Sequence, residues 1–213
     1  MINLWDDYKK ELNNTLSLYN SPSSTWVNWT SYDGTRLVAT HHYPKHFIKS
    51  REVEIWDEGK SYIYNNIIYP KTGSNLPCFG MDLMGFFEKK VIIVFDFQHP
   101  VENYLFSHPD LPKAEGTFRF FEPGNHFSEN VFVRKCTMSE VNNYLDDFVA
   151  YLQAYKEMVE SEQPSGMDTQ TTYRDFDTYM KKLDPVSGYL SSKFGKEKAE
   201  QLVNDFLFCY ESN

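Results

Sequence analysis

The order of periodicities along the chain constrains its fold more than any other feature. A helical stretch comes first. A long block of strand-like runs follows, with only turns between them, and helical stretches finish the chain. Strands that succeed one another without crossover helices pair antiparallel, and the helices must then cover the sheet. The opening stretch sets Trp5, Tyr8, Leu12 and Leu16 at spacings of three and four, on one helical face. Strands are expected over Arg36–Thr40, Glu52–Trp56, Tyr62–Tyr69 and Val91–Phe97, with more strand-like sequence at Gly116–Phe121 and Asn130–Lys135. Tyr43-Pro44 and Glu58-Gly59 read as turns, and Asn20–Ser24 as a break. After Cys136 a stripe of Val141, Tyr144, Leu145, Phe148, Val149, Leu152 and Tyr155 returns to helical spacing, and Thr137 with Glu140 has the form of a capping box at its start. Glu160–Gln170 reads as a loop. Shorter helices follow, one carrying Tyr173, Phe176, Tyr179, Met180 and Leu183, the last carrying Ala199, Leu202, Val203, Phe206 and Leu207. The expectation is a single domain over residues 1–213, of the α+β class, with a mostly antiparallel sheet between helical layers.

Composition narrows the function classes. Asp and Glu total 30 against 21 Lys and Arg, a net charge of -9, which argues against nucleic acid as the main partner. Cys78, Cys136 and Cys209 are dispersed and odd in number. They form neither a disulfide framework nor a zinc knuckle, and reducing cytoplasm is the expected compartment. The strongest apolar run, Val91–Phe95, lies between Lys90 and Asp96, far short of the roughly 20 residues of a membrane helix. The opening residues lack the basic start and apolar stretch of a signal peptide. Phe, Tyr and Trp make up 17% of the chain. Such an excess suits a thick core or a pocket for a broad conjugated ligand.

The usual phosphate-loop, zincin and α/β-hydrolase motifs are absent. His41, His42 and His46 are close in sequence, but strand neighbours point to opposite faces, so His41 and His42 cannot share a metal there; surface histidines are expected. Asp82 lies in the almost wholly apolar Leu76–Met84, and Asp184 lies between Leu183 and Pro185. A carboxyl in an apolar wall resists ionisation and can hold a proton near neutral pH, as a proton donor must. The competing readings are a carboxylate satisfied by backbone N–H groups for Asp82, and a turn or cap for Asp184. Asn65, in a β-run, is either a hydrogen-bonding site residue or a strand-end or bulge residue. Arg134, at the end of a strand pattern, is either a bidentate carboxylate clamp or half of a surface ion pair.

Longer stretches carry a resemblance. Tyr69–Gly73, Leu76–Met84 and Lys89–Pro100, then Gly124–Ser128 to Arg134, Asp175–Met180 with Leu183-Asp184-Pro185, and Phe194-Gly195 to Phe208, resemble the ferredoxin-dependent bilin reductases. The resemblance runs from about Trp26 to the C-terminus and is nearest the phage-type branch that forms phycoerythrobilin. It implies a three-layer α/β/α sandwich with biliverdin IXα between the sheet and the C-terminal helices. No metal or flavin is implied. Electrons arrive singly from reduced ferredoxin, a 2Fe-2S protein, and the substrate itself is the radical carrier.

The same resemblance assigns roles. Asp82 matches the central proton donor on the sheet side, and Asp184 the acid on the helix side used at the A-ring end. Asn65 stands where the phycocyanobilin-forming branch has a His, and an amide cannot exchange protons in its place. Arg134 matches an Arg that pairs with a substrate propionate. Pro185 stands where some relatives carry a Lys for the other propionate. The implied reaction takes biliverdin to 15,16-dihydrobiliverdin and then to 3Z-phycoerythrobilin. A two-electron enzyme stopping at the first product, and a bilin carrier without catalysis, are the alternatives. Docking of an acidic ferredoxin needs a local basic patch, for which Lys45, Lys49, Arg51, Lys71, Lys113 and Lys193 are candidates. A monomer in the cytoplasm, of the host cell if phage-encoded, completes the expectation.

Overall fold

A computed structural model describes residues 4–71, 73–87, 90–101, 106–118, 121–124, 126–162, 169–183, 186–208 and 210. Seven strands pair in sequence order as one antiparallel meander: β1 (Ser23–Thr30), β2 (Arg36–His42), β3 (Lys49–Asp57), β4 (Ser61–Tyr69), β5 (Cys78–Phe86), β6 (Lys90–Gln98) and β7 (Phe132–Cys136). Helices α1 (Asp6–Leu16) and α2 (Leu145–Ser161) lie on one face; α3 (Thr169–Leu183), α4 (Ser187–Phe194) and α5 (Lys196–Leu202) lie on the other. The α/β/α layering is therefore the one expected.

The α1–α2 face holds the larger core. Trp5, Tyr8 and Leu12 are buried as their spacing requires. The Trp5 indole Nε1 donates to the Tyr62 carbonyl at 3.0 Å, and the Tyr8 hydroxyl to the Val141 carbonyl at 2.8 Å. Those bonds give the polar ends of two buried aromatics a partner. Thr137 and Glu140 do form a reciprocal capping box, but it opens a 3₁₀ segment, Met138–Tyr144, that leads into α2. Phe95 stacks on Phe132 with centroids 4.2 Å apart, and Tyr151 of α2 closes over both.

Three expectations are corrected, and one strand was not foreseen. β1 begins inside the stretch read as a break; as an edge strand bonded only to β2 it has little burial and so little alternation to read. β5 carries Gly80 and Gly85, whose low strand propensity masks it. Among the described residues of Gly116–Phe121, none is in a strand. His41 and His42 do face opposite sides, but neither is at the surface: His41 stacks on Phe206 at 4.5 Å, and His42 packs on Tyr19 with its Nε2 3.8 Å from Glu52. No described helix is long and apolar enough to cross a membrane. Cys78 and Cys136 are free and buried, whereas Cys209 lies outside the described residues.

Candidate active site

Between the sheet and α3–α5 lies a cavity of about 550 Å³, within the range of small-molecule sites. Strand alternation builds its floor. On β3 the odd positions Arg51, Val53 and Ile55 face it, and their even neighbours Glu52 and Glu54 face α1. Pairing across five strands then lays one row over the middle of the floor: Val53, Asn65, Asp82, Val94 and Val133. Two polar side chains thus stand side by side among valines. A parallel row holds Arg51, Ile67, Gly80 and Asp96. Phe176, Met180, Leu190, Leu202 and Phe208 form an apolar roof.

Asn65 and Asp82 are cross-strand partners, so their Cβ atoms are neighbours by geometry. The Asn65 Nδ2 donates to Asp82 Oδ1 and, at 3.2 Å, to the Met81 carbonyl. The Asn65 Oδ1 accepts from Arg51 Nη1. Asp82 is half-buried by area, and it lines the cavity. Burial pushes its carboxyl up to about 6, against the pull of the Asn65 amide and the Arg51 charge. This is the setting of a carboxyl able to hold a proton near neutral pH.

Asp96, a second carboxyl at the cavity, escaped the reading of the sequence. It is 1% exposed, accepts from Ser128 Oγ at 2.5 Å and from Ser128 N at 3.0 Å, and is pushed by burial to about 7. A signal existed: Asp96 keeps phase with Ile92 and Val94 in the most apolar strand of the chain.

Asp184 and Pro185 lie outside the described residues; Leu183 and Val186, which bracket them in sequence, line the cavity. Arg134 does not line it. It keeps phase with Phe132 and Cys136 on the α2 side, with its guanidinium 4.3 Å from the Phe132 ring centroid, Nη1 donating to the Val133 carbonyl at 2.9 Å, and Nη2 3.8 Å from Glu115. Its neighbour Lys135 takes the cavity side instead, with Lys90. Alternation thus sets Arg134, the residue expected to clamp a propionate, on the opposite side of the sheet from Val133 and Lys135.

The docking candidates also divide. Lys45 and Lys71 are exposed. Lys49 and Arg51 are 3% and 4% exposed and cannot belong to a docking surface. Lys113 pairs with Glu129 at 2.6 Å, and Lys193 with Asp33 and Asp57 at 2.6 and 2.7 Å. Among the described residues no cluster of His, Cys, Asp or Glu is arranged to hold a metal.

A sheet floor, an apolar helical roof and a carboxyl raised by burial between them make a cavity suited to a small-molecule ligand. Comparison with known proteins agrees. The family model for ferredoxin-dependent bilin reductase matches residues 27–209, and the chain belongs to that family. Ferredoxin is accordingly its electron donor. It is 30% identical over 172 residues to the 15,16-dihydrobiliverdin:ferredoxin oxidoreductase of Nostoc punctiforme, covering 71% of this chain and 70% of that one. The protein of the same name from Parasynechococcus marenigrum is 31% identical over 173 residues, covering 71% and 73%. In structure, the chain resembles phytochromobilin synthase from tomato, solved in complex with biliverdin, with a TM-score of 0.70 over 94% of this chain and 82% of that one. At 19% identity that likeness is one of fold.

Proposed function

We propose that this bilin reductase takes biliverdin IXα through 15,16-dihydrobiliverdin to 3Z-phycoerythrobilin, with four electrons from reduced ferredoxin matched by four protons. The observation that carries the reading is the Asp82 carboxyl, in the middle of an apolar floor and bonded to an amide rather than a histidine. Electrons enter singly, so each one adds a negative charge to the bilin, and the odd-numbered steps leave a radical. Such a charge in an apolar cavity is costly until a proton follows. Asp82 supplies a proton from the sheet side. The carboxylate it becomes keeps the Asn65 N–H bond and faces the Arg51 charge. Asn65 is a hydrogen-bond partner with no group that titrates near neutral pH, leaving Asp82 as the acid at the middle of the floor. Asp184 is assigned the second acid, at the A-ring end, on the strength of the matching Leu183-Asp184-Pro185 stretch.

A two-electron enzyme ending at 15,16-dihydrobiliverdin is the second reading. It is favoured by the name that the Nostoc and Parasynechococcus relatives carry. Anaerobic turnover with biliverdin, ferredoxin and an electron supply decides between them. Phycoerythrobilin as the final product, identified by absorbance and chromatography, supports the four-electron reading; accumulation of 15,16-dihydrobiliverdin with donor in excess refutes it. Asp184→Asn is expected to stall at the dihydro stage, and full conversion by that variant removes Asp184 from its role.

A further inference from the structure

The cavity floor contains a buried cation that the proposed proton transfers do not use directly. Arg51 is 4% exposed, lines the cavity, and has its Nε without a hydrogen-bond partner among the described residues. Burial pushes its pKa down, but a guanidinium remains charged in proteins. We propose that Arg51 is a positioning residue for the cavity acid: it fixes which way the Asn65 amide points and presents a positive charge to Asp82 through that amide. This rests on the reading of Asp82 as the donor.

The argument is one of donors and acceptors. An Asn amide has nearly the same shape in its two orientations, so its partners decide between them. Arg51 only donates, and its Nη1 takes the Asn65 Oδ1. The Nδ2 must then face Asp82 Oδ1 and the Met81 carbonyl, both acceptors. The flipped amide would set donor against donor and oxygen against oxygen. With Oδ1 of Asp82 committed to the amide, the transferable proton belongs on Oδ2. Without Arg51 the amide is free to turn and accept from a protonated Asp82. Loss of the charge and release of the amide both favour the protonated acid. The other ionisable groups coupled to Arg51 are Tyr69 of β4, Asp177 of α3, Cys78 of β5 and His41 of β2. On Asp82, Arg51 is the charge that acts.

The test is the titration of Asp82 in the ligand-free full chain, read from its carboxyl carbon resonance in protein labelled with ¹³C-aspartate and assigned with Asp82→Asn. Arg51→Met is expected to raise the Asp82 midpoint by about one to two pH units, with Arg51→Lys recovering part of the shift. An unchanged midpoint in Arg51→Met overturns the proposal. Should Arg51→Met fail to fold, the wild-type protein still decides. The Asn65 side-chain amide must give one pair of proton resonances that moves with the Asp82 titration, and a pair indifferent to pH overturns it. Failure of the donor reading looks different: the midpoint shift stands while Asp82→Asn reduces biliverdin at the wild-type rate.

Discussion

Asp82→Asn is the perturbation that most directly probes the site. An ordinary Asp at 3.8 is protonated in roughly one molecule in 1,600 at pH 7, whereas Asp82 near 6 is protonated in roughly one in ten, a gain of about 150-fold. The first proton transfer in the wild-type enzyme is therefore expected to be level below about pH 6 and to fall about tenfold per unit above it. Asn keeps the shape and the hydrogen bond to Asn65 but has no proton to give. We expect the bilin radical formed after one electron to decay at least 100-fold more slowly in the variant, in line with the loss of a general acid. The assay is anaerobic single turnover of the biliverdin complex, with ferredoxin reduced by a light pulse and the radical followed by absorbance and electron paramagnetic resonance. A decay constant within twofold of wild type, or a wild-type profile without a break in the acid range, refutes the assignment.

Other consequences are measurable. Asp96 keeps its proton on folding, because its carboxyl is near 7 in the folded chain against 3.8 unfolded; this stabilisation is full below the unfolded value and is lost as the pH rises through 7. In urea unfolding, wild type is expected to lose about 2.5 kcal/mol relative to Asp96→Asn between pH 5 and pH 8, and a constant difference would mean that Ser128 holds an ionised carboxylate. Trp5→Ala empties a fully buried site and removes the indole bond to the Tyr62 carbonyl, so thermal and urea melts should report a loss of about 4 kcal/mol; a loss under 1 kcal/mol would contradict the packing. The KM for ferredoxin is expected to rise with ionic strength, and Lys45→Glu with Lys71→Glu should raise it several-fold at low salt only. A KM indifferent to salt removes electrostatic steering.

Much of the layout was legible because it rests on local periodicity. The α1 face, the α2 stripe and the strong β3, β4 and β6 runs all declare themselves by spacing. The neighbourhood of Asn65 and Asp82 does not, since it depends on which strands pair and where. Their matched roles came from resemblance, and their contact from the β4–β5 pairing. Arg51 and Arg134 show what phase alone can teach. Arg51 alternates with Val53 and Ile55 and therefore belongs inside, although its charge argued for the surface. Arg134 alternates with Phe132 and belongs on the far side of the sheet from Val133. Asp96 was concealed by its Ser128 partner, which lies 32 residues on and makes its burial tolerable.

The row running from Val53 to Val133 draws each of its members from a different strand of a simple meander. Losing one residue from the interior of β5 would turn Asp82 over to the α1–α2 layer and bring an apolar neighbour into its place, even while every hairpin still closed. Length variation in this chain is thereby confined to the turns. The chemistry is protected by counting: each strand must deliver the right parity to a common line, and a protein that has lost count keeps its shape and its cavity but not its acid.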